Sequence, residues 1–425
     1  MAHIVVVGGG IGGIPAAYEM KDLVGSNHQV TLISESECFQ FTPSNPWVAV
    51  NWRKKEEIQV ELPPIMAKRN INFSAVGVKR VEPKDNKLVL NDGSELTYDY
   101  LIIATGPKLA FDEIEGMGPN HFTYSVCTTS HAGGCGRDWQ KFVMNPGPIV
   151  VGAVQGASCF GPAYEYALIL DTDLRKRGIR DQVPITFITS EPYIGHLGLD
   201  GVGDTKSLLE SKLRDRNIKW VVNASINSVQ EGALYYQVTN EQDQTSEEKK
   251  LEFKHSMLLP AFKGVDAVAG IDDLVNARGF VLTNDFQQNP TFGNIFSVGV
   301  CVAIPPVGET PVPVGVPKTG YMIESMVTAA TNNIKQLING EEPSHKPSLN
   351  AICLADFGDG GVAFVAKPQI GPRNLNWAGE GKWVHWAKVA FEKYFLRKIR
   401  KGKSTTVWET IMLDWMNIKR LKKKP

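Results

Sequence analysis

The first hundred residues alternate short apolar runs with glycine turns and one helical stretch. Ile4-Val-Val-Val7 leads into Gly8-Gly-Gly10-Ile-Gly-Gly13, a helical stretch follows from Ile14 to Asp22, and Gln29-Val-Thr-Leu-Ile33 is a second apolar run. Strand, glycine turn, helix and strand in that order predict a βαβ unit with a complete G-x-G-x-x-G at Gly8, Gly10 and Gly13. In such a unit the backbone approaches a pyrophosphate at the helix N-terminus, and an acid or hydroxyl after the second strand meets the ribose. Ser34 and Glu35 stand at that place.

Tyr98 begins another apolar strand, which ends in Ala104-Thr105-Gly106, and Asn294-Ile-Phe-Ser-Val-Gly299 has the same character. Between them, Pro148-Ile-Val-Val-Gly152-Ala-Val154-Gln-Gly156-Ala157-Ser-Cys159 repeats the strand and turn with a difference. Gly152 and Ala157 are expected at the first and third places of a second nucleotide turn. Val154 stands where the middle glycine would admit a pyrophosphate. The turn is therefore read as retained architecture. Cys159 is expected on the first turn of the following helix, where the dipole favours a thiolate.

Pro305 to Gly320 is dense in proline and small residues, which predicts a rigid extended loop, and a helix is expected over about Tyr321 to Leu337. The charged stretch from Glu241 to Lys250 is expected to be a hairpin loop. The fold class is α/β with two Rossmann-like domains. One is discontinuous, 1–110 with 285–340; the second covers 111–284; a C-terminal attachment region covers 341–425.

In that last region Trp383, Trp386, Ala387, Ala390, Phe391, Tyr394 and Phe395 recur at helical spacing, and Trp408, Ile411, Met412, Trp415 and Ile418 repeat the pattern. The whole chain balances 45 Lys+Arg against 45 Asp+Glu, which argues against a nucleic-acid-binding surface. From Lys382 onward, however, 13 Lys/Arg face three acids, ending in Lys422-Lys-Lys424. Aromatic stripes set among basic residues predict monotopic attachment to an anionic bilayer. No run approaches the ~18 apolar residues of a membrane span. The first strand begins at His3, so no secretory signal is expected. The six cysteines, at 38, 127, 135, 159, 301 and 353, have no C-x-x-C or zinc spacing, so neither a metal site nor a disulfide scaffold is expected.

Several stretches are more particular than a glycine fingerprint. They are Phe41-Thr-Pro43-Ser-Asn45-Pro-Trp47, Ser125-Val-Cys127, Gly156-Ala-Ser-Cys159-Phe-Gly-Pro162, Tyr193-Ile-Gly-His196, Pro317-Lys318-Thr-Gly320-Tyr and Ala351-Ile-Cys353. With them the whole chain resembles the sulfide:quinone oxidoreductases, and most closely their bacterial, monotopic members.

The resemblance implies FAD as cofactor, sulfide as substrate and a membrane quinone as electron acceptor, and it leaves a homo-oligomer open. Cys159 and Cys353 would form the redox pair, as a disulfide or polysulfide. Cys127 would either release the sulfur product or attach FAD covalently. Cys38, Cys135 and Cys301 match no role and are read as structural. His131 and His196 match histidines of the family's active-site region, where a near-neutral pKa suits proton transfer. Glu165 is read as a proton carrier or a structural acid. Lys318 would lie near the flavin, where a cation stabilises the anionic reduced form. Pro43, Asn45, Ala104, Thr105, Gly106 and Gly299 would join the first turn in holding FAD. Val300 replaces the acid that many related flavoproteins use on the ribityl chain, so backbone groups near Gly299 would substitute. Phe391, Tyr394, Phe395 and Gly320 would line the quinone site, since aromatic faces suit a flat ring.

Three alternatives fit less well. An NADH:quinone oxidoreductase of the same fold needs an intact second turn, and a sulfide dehydrogenase serving a cytochrome would carry an export signal. A non-catalytic membrane module would have no use for the placed cysteines.

Overall fold

The computed structural model describes residues 1–240, 242, 244–406, 409–411, 413 and 418–422. β1 (His3–Val7) is almost wholly buried and runs into the glycine turn; α1 (Gly13–Val24) starts at the third glycine. Pro15 lies in its first turn, where a missing N–H breaks no helical bond. β2 (Gln29–Ile33), β3 (Asn72–Ser74) and β4 (Tyr100–Ile103) follow. The chain then passes through α2 (Thr129–Phe142), β5 (Ile149–Ala153), α3 (Gly161–Lys176), β6 (Ile185–Thr189), β7 (Ile218–Val221) and β8 (His255–Leu259). β9 (Ile295–Ser297) returns to the first sheet beside β4.

Two parallel sheets result, ordered β9-β4-β1-β2-β3 and β7-β6-β5-β8. Their central strands are continuous buried runs rich in Val and Ile, as expected of parallel sheets covered on both faces. The strands over Ala233–Val238 and Lys249–Glu252 pair antiparallel, so the charged stretch between them does join a hairpin.

The second unit departs from expectation at its turn. Gly152 lies inside β5, not in the turn, because a Cβ there would fall 1.8 Å from the Ile188 carbonyl oxygen of the neighbouring strand. α3 begins only at Gly161, with Phe160 as its N-cap, so Cys159 precedes the helix rather than sitting on its first turn.

α4 (Gly320–Ile338) packs along α1. An antiparallel sheet, β10 (Ala351–Asp356), β11 (Gly361–Lys367) and β12 (Leu375–Glu380), leads into α5 (Lys382–Arg400). No described helix is long and apolar enough to cross a membrane.

α5 buries Val384, Phe395, Leu396 and Ile399, and it buries charged residues among them. Its buried side includes Lys388, Glu392 and Lys398, while Trp383, Trp386 and Phe391 are exposed. The inward charges are paired: Glu392 accepts from Ser44 Oγ at 2.5 Å and Arg53 Nε at 3.1 Å, and Lys398 donates to Glu324 at 2.7 Å and Glu409 at 3.2 Å. Of the second aromatic stripe, Ile411 is exposed and Ile418 buried; Trp408, Met412 and Trp415 lie outside the described residues, as do Lys423 and Lys424.

Candidate functional site

The three glycines of the first turn are required for three reasons. Gly8 adopts φ +118°, and a Cβ on it would fall 2.2 Å from the Ala104 carbonyl oxygen. A Cβ on Gly13 would meet the Gly8 carbonyl oxygen at 1.8 Å. Gly10 has nothing within 4 Å of its Cβ direction, which leaves the backbone open where a phosphate would approach. Ser34 is buried against Gly9, its Oγ accepting the Ser36 N–H at 3.2 Å, and Glu35 is exposed just past β2. Thr105 donates to the Gly106 carbonyl at 3.2 Å, and Gly106 holds φ +70° where the chain leaves β4. The N–H of Gly299 points at Met326 Sδ, 3.4 Å away. This open turn at a helix N-terminus, with a hydroxyl and an acid past the second strand, fits a dinucleotide such as FAD.

The second turn is closed by the chain itself. Val154 is 2% exposed and belongs to the core with Ile188 and Leu258. The Gly156 N–H donates to the Pro313 carbonyl at 2.7 Å, and the Gly315 N–H donates to the Ala157 carbonyl at 2.8 Å. The proline-rich loop thus takes the hydrogen bond a second phosphate would need.

Three cysteines converge behind this turn: Cys127 and Cys353 are both near enough to Cys159 for charge on either to act on it, and so is Glu165. The Cys127 segment is tied down by Asn45, whose Nδ2 donates to the Val126 carbonyl at 2.9 Å and whose Oδ1 accepts from Thr129 at 3.1 Å. The Asn45 amide thus helps to position Cys127, and neighbouring Pro43 is half-buried. All six cysteines are free.

The three thiols keep a partly accessible surface in dense surroundings. Burial pushes Cys159 up to about 12, and Cys127, Cys353 and Glu165 act in the same direction. Burial likewise pushes Cys127 and Cys353 up to about 11. The helix-dipole activation expected for Cys159 is not found, because the helix starts too late and apolar packing dominates. Cys135 is a buried thiol bonded to Tyr166 Oη at 3.1 Å, and Cys301 is buried against the Val298 and Ile103 carbonyls at 3.2 and 3.4 Å.

Glu165 is raised to about 7 by burial, against the pull of Lys388. Lys388 forms a buried ion pair with it and also lies over the Trp47 ring, 5.3 Å from the centroid. The sequence reading missed Lys388. Its only signal was its spacing with Val384, Glu392 and Phe395, which puts a lysine on the inward stripe.

Both histidines are pushed below their ordinary pKa by burial. His131 sits in the first turn of α2, its ring edge against Phe111, with Nδ1 lacking a partner among the described residues. His196 Nδ1 accepts the Gly198 N–H at 3.2 Å, leaving Nε2 as the protonated nitrogen of the neutral ring. A Cβ on Gly198 would meet the Gly315 carbonyl oxygen at 2.2 Å, Pro317 at 3.2 Å and Phe160 at 3.3 Å. The His196 loop, the loop leading to Lys318 and the residue after Cys159 therefore meet at one point. Lys318 is lowered to about 8 by burial and stands over the Phe280 ring at 5.0 Å. Gly320 opens α4 with free space around it.

The aromatic trio differs in exposure, although the Phe391 and Phe395 rings touch at 5.7 Å between centroids. Phe391 is 42% exposed, whereas Phe395 is 5% exposed and packed against Phe41 and Phe39 at 5.3 and 5.9 Å. The Tyr394 hydroxyl is committed to Glu409 at 2.5 Å and Thr406 at 2.7 Å. Of the three, Phe391 alone presents an open ring. Tyr394 and Phe395 are held by packing and hydrogen bonds that the sequence did not disclose.

The family pattern of the pyridine nucleotide-disulphide oxidoreductases matches residues 2–330, and the chain belongs to that family. It is 44% identical to the sulfide-quinone reductase of Aquifex aeolicus over 97% of its own length and 94% of that protein's. The X-ray structure of the sulfide:quinone oxidoreductase from that bacterium superposes with a TM-score of 0.94 at 42% identity, covering 99% of this chain and 97% of that one. Within the family the chain therefore stands with the sulfide-quinone reductases, which are FAD-dependent. An NDH2 structure from Plasmodium falciparum in complex with NADH shares the fold, with a TM-score of 0.69 at 14% identity over 99% of this chain and all of that one.

Proposed function

We propose that this chain oxidises sulfide and passes two electrons through FAD to a quinone, working as a peripheral protein on a membrane surface. The observation that carries the sulfur chemistry is the convergence of Cys127, Cys159, Cys353 and Glu165 behind a second turn that the chain's own loop has closed.

Cys159 and Cys353 are assigned as the ends of a disulfide or polysulfide bridge. HS⁻ attacks a bridge sulfur and one S–S bond breaks, leaving a persulfide on one cysteine and a thiolate on the other. Joining the persulfide to the thiolate forms a bridge longer by one sulfur and releases one proton and two electrons. FAD, when bound, is the two-electron acceptor. Burial makes the released thiolate a high-energy species, which favours its consumption. Glu165, near neutrality, takes the proton, and Lys388 stabilises the carboxylate before it accepts the proton and again once it gives it up. Cys127, beside Cys159, is assigned to product release. Gly8, Gly10 and Gly13 would hold the pyrophosphate, with Ser34 and Glu35 at the ribose and Lys318 toward the flavin.

Leu375, Trp377, Trp383, Trp386 and Phe391 are exposed on β12 and α5, with Lys393, Arg397, Arg400 and Lys401 exposed on the same helix or just after it. This surface suits the interfacial region of an anionic bilayer and brings Phe391 to the quinone. Anaerobic titration tests the reading. Sulfide should bleach the flavin absorbance and added quinone should restore it; bleaching by NADH but not by sulfide would sink it.

A further inference from the structure

The segment that carries His196 runs through a left-handed backbone that its glycines adopt freely and Leu197 does not. Gly195, Leu197, Gly198, Asp200, Gly201 and Gly203 all have positive φ, and Leu197, at +59°, has no intrinsic reason to adopt it. Such a backbone persists only where its surroundings over-determine it. Glu191 lies at the root of this loop, fully buried. Its Oε1 accepts the N–H of Leu197 itself at 2.6 Å. Its Oε2 accepts from Tyr164 Oη at 2.7 Å and Thr189 Oγ1 at 2.9 Å. Tyr164 Oη in turn accepts the Gly195 N–H at 3.0 Å, so one carboxylate reaches the residues on both sides of His196.

The position of this acid is itself informative. Ser34-Glu35 follow directly after β2, and Ser190-Glu191 follow directly after β6. In the first unit the acid is exposed beside the open glycine turn; in the second it is turned inward, beside a turn closed by residues 313–315. We infer that Glu191 is the positioning residue of the sulfide site: an acid from the ribose end of a second nucleotide turn, turned inward to fix the His196 loop against Phe160 and Pro317. Arg373 holds the same loop from outside, donating to the carbonyls of Leu199 and Gly201.

The inference rests on His196 serving that site, and the two can fail separately. The FAD-loaded full chain is compared with Glu191→Gln, Glu191→Ala, Glu191→Asp and His196→Asn. Two readouts are taken: kcat/KM for sulfide with a soluble quinone, and the imidazole nitrogen correlation spectrum, in which His196→Asn identifies the His196 signals among eight histidines. Gln can still accept the Leu197 N–H while Tyr164 and Thr189 rotate to accept its amide hydrogens. It should therefore keep kcat/KM within about threefold and preserve the single His196 tautomer. Ala should lower kcat/KM at least about tenfold and mix or broaden the His196 signals. Asp, too short to span Leu197 and Tyr164 together, should do the same if Ala does not fold. Ala and Asp variants with unaltered His196 signals would overturn the inference. Altered signals with no rate effect in His196→Asn would instead overturn the role given to His196 and leave the positioning intact.

Discussion

Lys388 of α5 and Glu165 of α3 form an ion pair inside the protein, and the two charges act in opposite directions on Cys353. A helix at the carboxyl end of the chain thereby tunes the thiol site of the second parallel unit.

Replacing Lys388 with Met removes the cation that holds Glu165 and Cys353 down, so both rise further from their values of about 7 and 11. The acidic limb of kcat/KM against pH should move to higher pH, with activity at pH 7 roughly fivefold lower for a rise of about one pKa unit, which takes the carboxylate fraction from about one half to about one eleventh. A pH profile superimposable on wild type would reject the role.

Cys159→Ser and Cys353→Ser should each abolish sulfide-dependent quinone reduction while the visible flavin spectrum persists. Neither thiol belongs to the Gly8–Gly13 turn, so FAD retention separates chemistry from folding. Turnover like wild type in either variant would remove the bridge from the mechanism. Intact mass after denaturation should reveal added sulfur atoms after sulfide exposure, and would also show whether FAD is attached to Cys127.

NADH should not reduce the flavin, and Val154→Gly should not change that. The substitution empties a core position, costing about 2–3 kcal/mol, while the bonds from Gly156 to Pro313 and from Gly315 to Ala157 still close the turn. Stopped-flow mixing with NADH checks it; rapid bleaching in the variant would show that valine alone blocks the nucleotide.

Much of this was legible from spacing. The first glycine turn and the late return of β9 follow from periodicity, whereas the cysteine segments were picked out by resemblance in stretches such as Gly156-Ala-Ser-Cys159. Lys388 and Glu191 were not legible, because a lysine in a basic amphipathic helix and an acid in a loop both read as solvated. Burial reverses that reading, and burial is a property of the neighbours. Gly152 misled for a related reason: a glycine before a turn looks like the turn itself until the Ile188 carbonyl beside it is seen. The aromatic stripe of α5 was visible in the sequence, but that Trp383, Trp386 and Phe391 are exposed while Phe395, Lys388 and Lys398 are buried depends on partners far away, Glu165 and Glu324 among them.

Glu191 gives stability a definite pH dependence. Burial raises it from 4.5 to about 7, despite bonds from Leu197, Tyr164 and Thr189 that pull the other way. A raised folded-state pKa means the folded protein binds the proton more tightly, so the contribution is fully present below 4.5 and lost as pH rises through about 7. Relative to Glu191→Gln, wild type should lose on the order of 3 kcal/mol across that window. Thermal midpoints of both holoproteins measured across the same range should diverge as pH rises; parallel curves would contradict the assignment.

Replacing Trp377, Trp383 and Trp386 together with Gln should release the protein from anionic vesicles, because these side chains are exposed and pack on little besides one another and His385. Activity with a water-soluble quinone should stay near wild type. Unchanged sedimentation with vesicles would move the attachment surface elsewhere.

The hydrogen bonds between residues 156–157 and 313–315 also constrain descent. A nicotinamide site could reappear only if a core valine and a distant proline-rich segment changed together. Either change alone would loosen the molecule without admitting a new electron donor. Closure of the second turn is in this way tied to the packing of a segment about 150 residues further along the chain.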